Sequence, residues 1–188
     1  MLRLVIFQQL PLVSLQRFII LLTLQCNYPL VCSLTDLGLL QAKATGHTLA
    51  VDGIGPESDL ISSDLLRARQ TTTAIARSTK QTAEYHTELR ELNNGVAANK
   101  TIKEANLLSL PVTHPSLDEL PYPGAESWRM MAVRIVTFLD KMAAICQTQT
   151  VVIVSHSLAL IPVVCWWLRL GSEWWSSVSF DFECGSIS

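Results

Sequence analysis

Two short stretches of this chain carry residues suited to binding a ligand. The first is Ser62-Ser63-Asp64-Leu65-Leu66-Arg67-Ala68-Arg69-Gln70-Thr71, which puts an arginine in the first turn of a predicted helix. A guanidinium pairs bidentately with phosphate oxygens and a helix amino end favours anions, so Arg67 there suits a phosphate. The second is Val151-Val152-Ile153-Val154-Ser155-His156-Ser157, an apolar, β-branched run that stops on a histidine. Such a run reads as a buried strand of a parallel or mixed sheet. A histidine at its carboxyl end stands where α/β sheets place their ligand sites.

The elements that must position these residues can be read from local patterns. Arg17 to Leu22 reads as a buried strand. A helix opens at Leu34-Thr35-Asp36 and runs to about Ala50, with Thr35 as N-cap and Asp36 in the first turn. Gly53, Gly55 and Pro56 mark a loop before the strand Leu60-Ile61-Ser62. Ser63 or Asp64 caps the next helix, whose Leu65, Ala68, Thr72 and Ile75 fall on one face. From Ala83 to Leu89 apolar and polar residues alternate, the period of a half-buried strand. Residues 92–125 lack a period and hold Pro111, Pro115, Pro121 and Pro123; a long irregular segment in a small domain is often functional. Trp128, Met131, Ile135, Phe138, Met142 and Ile145 predict a helix over 126–145. A strand over 151–155, a helix over 158–169 and an alternating last strand (Val178, Phe180, Phe182, Cys184) complete the chain. The order strand, helix, strand, helix predicts an α/β sandwich with helices on both faces.

Bulk properties narrow the class of partner. At 188 residues, 49% of them hydrophobic, the chain can bury the core of one domain. A net charge of −2 speaks against a nucleic-acid partner. The five cysteines (Cys26, Cys32, Cys146, Cys165, Cys184) form no CxxC pair, so they signal neither a zinc site nor a disulfide framework, and they read as core residues of a reducing, cytoplasmic compartment. No cofactor or metal is expected. Met1 to Gln25 is apolar and free of acids, with Arg3 and Arg17. Gln8, Gln9, Pro11, Gln16 and Arg17 interrupt it as a membrane span, and it lacks a clear secretory cleavage site; an arginine-bearing, acid-free start is compatible with organelle import. Oligomeric state leaves no mark in the sequence.

Taken together, five segments resemble the histidine phosphatase superfamily, also called the phosphoglycerate mutase-like family. Leu34-Thr35-x-x-Gly38-x-x-Gln41-Ala42 resembles its LTxxGxxQA segment, and Ser62-x-Asp64-Leu65-x-Arg67-Ala68-x-Gln70-Thr71 its SSDLxRAxQT segment, the most specific match. Leu89-Arg90-Glu91-x-x-x-Gly95 is similar to the acid-bearing LxExxxG segment. Gly124-Ala125-Glu126-Ser127, followed by Arg134, resembles GGES, and Val154-Ser155-His156-Ser157 resembles VSHG with serine for glycine. The resemblance covers residues 34 to 187 and implies a three-layer α/β/α sandwich on a mixed, mostly parallel sheet, here a domain over residues 26–188 behind the atypical segment 1–25. It implies phosphomonoester hydrolysis through a phosphohistidine, without metal, on a phosphorylated small molecule. Carried over by motif, Arg67 clamps the phosphate, His156 is the second histidine at the phosphoryl group with Ser157 beside it at the substrate, and Glu91 protonates the leaving oxygen.

One departure weighs against turnover. The family's nucleophile lies in an Arg-His-Gly motif after the first strand, where this chain reads Leu21-Leu22-Thr23-Leu24-Gln25-Cys26-Asn27. No histidine precedes His47, which falls inside the first predicted helix, and nothing near Cys26 lowers its thiol pKa. The expectation is a degenerate phosphatase with impaired turnover. The alternatives are a non-catalytic phosphate-ligand binding protein, or a phosphatase or mutase whose coding start is misassigned.

Overall fold

A computed structural model describes residues 7–8, 17–22, 33–111, 117–145, 150–175, 177–178 and 180. Its strands are β1 (Phe7–Gln8), β2 (Arg17–Leu22), β3 (Asp59–Ser63), β4 (Ala83–His86) and β5 (Thr150–Ser155). Its α-helices are α1 (Asp36–Val51), α2 (Leu66–Thr79), α3 (Ile102–Asn106), α4 (Trp128–Ile145) and α5 (Ser157–Trp167). The sheet order is β1-β2-β5-β3-β4. β2, β5, β3 and β4 run parallel, and β1 lies antiparallel on the edge. This is the mixed, mostly parallel sheet of a three-layer α/β/α sandwich. Among the described residues no helix is long and apolar enough to cross a membrane.

Strand alternation sorts the core into two layers. Leu60, Val152 and Val154 point to one side, where they meet Ile19, Leu49, Ala68 and Ile75 of β2, α1 and α2. Ile61, Val151 and Ile153 point to the other, against Met131, Ile135 and Phe138 of α4 and Leu160 and Val163 of α5. Both faces of β5 are therefore buried, which is why it reads as an unbroken apolar run.

Helix α1 starts where Thr35 accepts the Gly38 N–H at 3.0 Å. It packs closely on α2 because Gly46 has no side chain: a Cβ there would stand 3.0 Å from the Ala74 carbonyl oxygen. α2 buries three threonines, and each hydroxyl donates to the carbonyl four residues back (Thr71 to Arg67, Thr72 to Ala68, Thr79 to Ile75). That bond removes the cost of leaving a hydroxyl unpaired in the core.

Three local expectations are corrected. The strand expected to Leu89 stops at His86 and closes in a 3-10 turn over Thr87–Leu89, because it pairs with β3 and β3 ends at Ser63. Val178 and Phe180 are not in a strand; they pack on the apolar cluster around Trp128 and Trp175, so their alternation reports burial without pairing. Ile145, at the end of the α4 stripe, is 72% exposed because the helix outruns the layer it packs on. Among the described residues of 92–125, α3 is a short helix held by a Thr101–Glu104 capping box. Cys26, Cys32, His114, Cys146, Phe182 and Cys184 lie outside the described residues.

Candidate phosphate site at the carboxyl ends of the strands

Because β2, β5 and β3 are parallel, their carboxyl ends gather at one edge of the sheet. Ser62 pairs with Val154 and Leu22 with Ser155. The chain crosses from one face of the sheet to the other around β5, the situation that opens a ligand crevice in α/β folds.

Serines, fully buried, end both inner strands, and each hydroxyl has work to do in the fold. Ser62 donates to the Ser63 carbonyl, and its Oγ lies 2.8 Å from Thr72 Oγ1. Ser155 donates to the Leu89 carbonyl at 2.8 Å, tying β5 to the segment that carries Glu91. Ser63 Oγ lies 2.8 Å from His156 Nε2 and accepts the Leu65 N–H at 3.3 Å. Ser63 is thus not the side-chain cap expected for α2, whose N-cap position is Leu65. Asp64 turns away to a two-bond ion pair with Arg90, whose Nε is 2.6 Å from Asp64 Oδ1. That pair holds the Asp64 carboxyl below its usual range.

Arg67 and His156 come together here. Arg67 is 8% exposed in the first turn of α2, and His156 is 2% exposed at the N-cap of α5. Burial pushes the His156 pKa well below that of a free imidazole, and the charges of Arg67 and Arg134 push it further down, so the ring is neutral. Burial also lowers the Arg67 pKa, against the opposing charge of Glu91.

Glu91 lies across the amino end of α5. Its carboxylate accepts the backbone N–H groups of Ala159 at 3.2 Å and Leu158 at 3.3 Å, and the Ser157 hydroxyl donates to it at 3.3 Å. A carboxylate in this position is favoured by the helix dipole by about 0.3–1 kcal/mol. Ser157 is exposed, and its hydroxyl is engaged with the acid.

Behind Glu91, Arg134 forms a bidentate pair with Glu126, at 2.9 and 2.8 Å, and also donates to the Glu88 and Arg90 carbonyls. The Glu126 N–H donates to Asn93 at 2.8 Å. Gly95, at φ +53°, seals the same junction: a Cβ there would overlap the Pro123 carbonyl and the Ala125 nitrogen. The segments Leu89–Gly95 and Gly124–Ser127 are therefore clamped together, and Glu126 orients structure. Beside the clamp opens a pocket of about 490 Å³, walled by Leu65, Arg90, Glu91, Ala125, Met130 and Arg134 among others.

Other candidates fall elsewhere. Arg69 lies over the Tyr85 ring, 4.1 Å from its centroid. His47 is exposed on α1, and His86 packs on Phe138. Sequence reasoning missed the Ser63–His156 contact and gave Arg134 no role. A second serine beside the arginine segment hinted at the former; the carbonyls that Arg134 reaches carry no sequence signal. Among the described residues no group of three His, Cys, Asp or Glu is placed to hold a metal ion.

Residues 30–187 match the family model described as histidine phosphatase superfamily, branch 1. Among solved structures, the chain is similar to a mycobacterial glucosyl-3-phosphoglycerate phosphatase, at 22% identity and TM-score 0.70 over 86% of this chain and 84% of that one. A structure of that phosphatase with inorganic phosphate matches at 20% identity and TM-score 0.68, over 86% and 82% of the two chains. The alpha-ribazole phosphatase of Shigella flexneri matches at 17% identity and TM-score 0.75, over 90% and 87%. No match among curated protein sequences accompanies these structural ones.

Proposed function

Since this chain belongs to the histidine phosphatase superfamily, branch 1, we propose that its site binds a phosphomonoester dianion on Arg67 and His156, with Glu91 and Ser157 facing the ester oxygen. The observation that carries this reading is the burial of both Arg67 and His156 at the carboxyl edge of the sheet, near enough for the charge of the one to act on the other. A buried guanidinium and a neutral imidazole can both donate to phosphoryl oxygens in a place where water does not compete. Glu91 stands at the same edge, on the amino end of α5. It is the acid positioned to deliver a proton to a leaving alkoxide.

Turnover is a separate matter. β2 ends at Leu22, opposite Ser155 and one residue short of the level of His156. A nucleophile that attacked a phosphoryl group on His156 would come from the residues after β2, and there the sequence continues Thr23-Leu24-Gln25-Cys26 without a histidine. Phosphohistidine chemistry has no acceptor in that stretch. We therefore read the chain as a phosphate-ligand binding member of a phosphatase family, with little or no hydrolysis.

The test pairs calorimetric titration of inorganic phosphate with p-nitrophenyl phosphate hydrolysis, on the 188-residue chain and its Arg67→Ala variant. Losing a charge-assisted pair should weaken phosphate at least tenfold, about 1.5–3 kcal/mol, with no hydrolysis above the variant. Equal phosphate affinity in both proteins would sink the binding site. Hydrolysis that vanishes in the variant would show that another group has taken the place of the missing histidine.

A further inference from the structure

The pocket beside Glu91 indicates which phosphomonoesters the site would accept, an inference that rests on the phosphate reading above. Its volume, about 490 Å³, is that of a small-molecule site and exceeds what a phosphoryl group fills. It adjoins the phosphate position: Glu91 is shared between the two, and Leu65 stands two residues before Arg67.

Every charge in its described wall is already matched. Arg90 is held by both oxygens of Asp64, and Arg134 by both oxygens of Glu126. Glu91 is bonded by the amino end of α5. The wall holds two guanidiniums and two carboxylates, and Asp64, bonded to Arg90, adds a third negative charge. Leu65, Ala125 and Met130 supply apolar surface, and Met130 is 56% exposed. An anionic leaving group entering here would meet Glu91 and Glu126 without an uncommitted cation to receive it among these residues. An uncharged ring would cover the apolar residues at no electrostatic cost.

We propose that this pocket receives the alcohol part of the phosphomonoester and selects an uncharged, partly apolar, ring-sized group over an anionic one, with the Asp64–Arg90 pair setting that preference. Asp64 keeps the Arg90 charge spent, so that the residue next to the acid does not attract a second anion.

The experiment titrates the full chain, its Asp64→Asn variant and its Met130→Ser variant with inorganic phosphate, phenyl phosphate and 3-phosphoglycerate. Phenyl phosphate should bind about tenfold more tightly than 3-phosphoglycerate, the discrimination typical of an apolar pocket. Asp64→Asn should shift that ratio about fivefold or more toward 3-phosphoglycerate by freeing Arg90. Met130→Ser, at an exposed position that threatens no core packing, should cut the preference for phenyl phosphate over inorganic phosphate. Tighter binding of 3-phosphoglycerate by the parent chain, or a ratio unmoved by both substitutions, would overturn the inference while leaving the phosphate site standing. A chain that binds none of the three overturns the phosphate reading and this one with it.

Discussion

Ser63 Oγ and His156 Nε2 stand 2.8 Å apart, joining the carboxyl ends of two neighbouring parallel strands. The contact orients a buried ring on which the charges of Arg67 and Arg134 also act. Ser63→Ala should lower stability by about 1–3 kcal/mol, because a buried polar atom loses a partner. In a chain of this size that is a drop in Tm of about 2–4 °C per kcal/mol, read by scanning calorimetry. Phosphate affinity should fall in parallel, since the imidazole is no longer held in place. An unchanged Tm and affinity would assign the contact no role.

His156 makes stability depend on pH in a definite direction. Its folded pKa lies below the value of about 6.5 that the unfolded chain offers, so below that pH the unfolded state binds a proton that the folded state refuses. The contribution is present above pH 6.5 and is lost as pH falls toward the folded value, at no more than about 1.4 kcal/mol per pH unit. Urea unfolding at pH 7.5 and 5.5 should show this loss, and His156→Asn should reduce it. A parent and variant with the same pH slope would contradict the assignment.

Binding should run against that bias. A phosphate dianion beside His156 opposes the cationic neighbours that keep the ring neutral, so its pKa rises when ligand binds. Titrations near pH 6 with sulfate, a tetrahedral anion that keeps its two charges throughout this range, should therefore take up protons at the protein, seen as a dependence of the measured heat on the ionisation enthalpy of the buffer. Identical heats across buffers would place the anion away from His156.

Glu91→Gln should move stability and affinity in opposite directions. Removing the charge from the amino end of α5 costs about 0.3–1 kcal/mol, less at high salt where the dipole is screened. The same change removes a negative charge next to the phosphate, so inorganic phosphate should bind more tightly. Weaker phosphate binding in this variant would mean that Glu91 serves only to shape the site.

Gly95→Ala should be far more damaging than Gly53→Ala, although both glycines have positive φ. At Gly53, at φ +82°, a Cβ meets nothing within 4 Å, so only the backbone term of about 1 kcal/mol is lost. At Gly95 the added carbon overlaps the backbone of Pro123 and Ala125, which cannot move without opening the clamp behind Glu91. Denaturant unfolding of the two variants gives the comparison; equal losses would show that the clamp is loose.

Local pattern alone located most of the elements and singled out Arg67 and His156, the two residues buried at the carboxyl edge of the sheet. The apolar run before His156 announced a doubly covered strand, and the spacing from Trp128 to Phe138 announced the helix that covers it, because burial on one face imposes a period on any segment that packs there. The segments that resemble known motifs also named Arg67, Glu91 and His156. What local pattern could not supply were the partners. Val178 and Phe180 alternate like a strand but only fill an apolar cluster, since burial produces alternation whether or not a neighbouring strand is there to pair with. Ser63 and Asp64, both good helix caps in isolation, bond instead to His156 and Arg90, at separations of 93 and 26 residues. Glu91 finds the amino end of α5 in the same way, 68 residues from Ala159. Periodicity records only how one segment meets the core, whereas a hydrogen bond or ion pair between distant segments exists only once the sheet has brought their ends together. The residues that meet at this edge of the sheet were therefore legible in the sequence, and their contacts and electrostatic state came only from the tertiary structure.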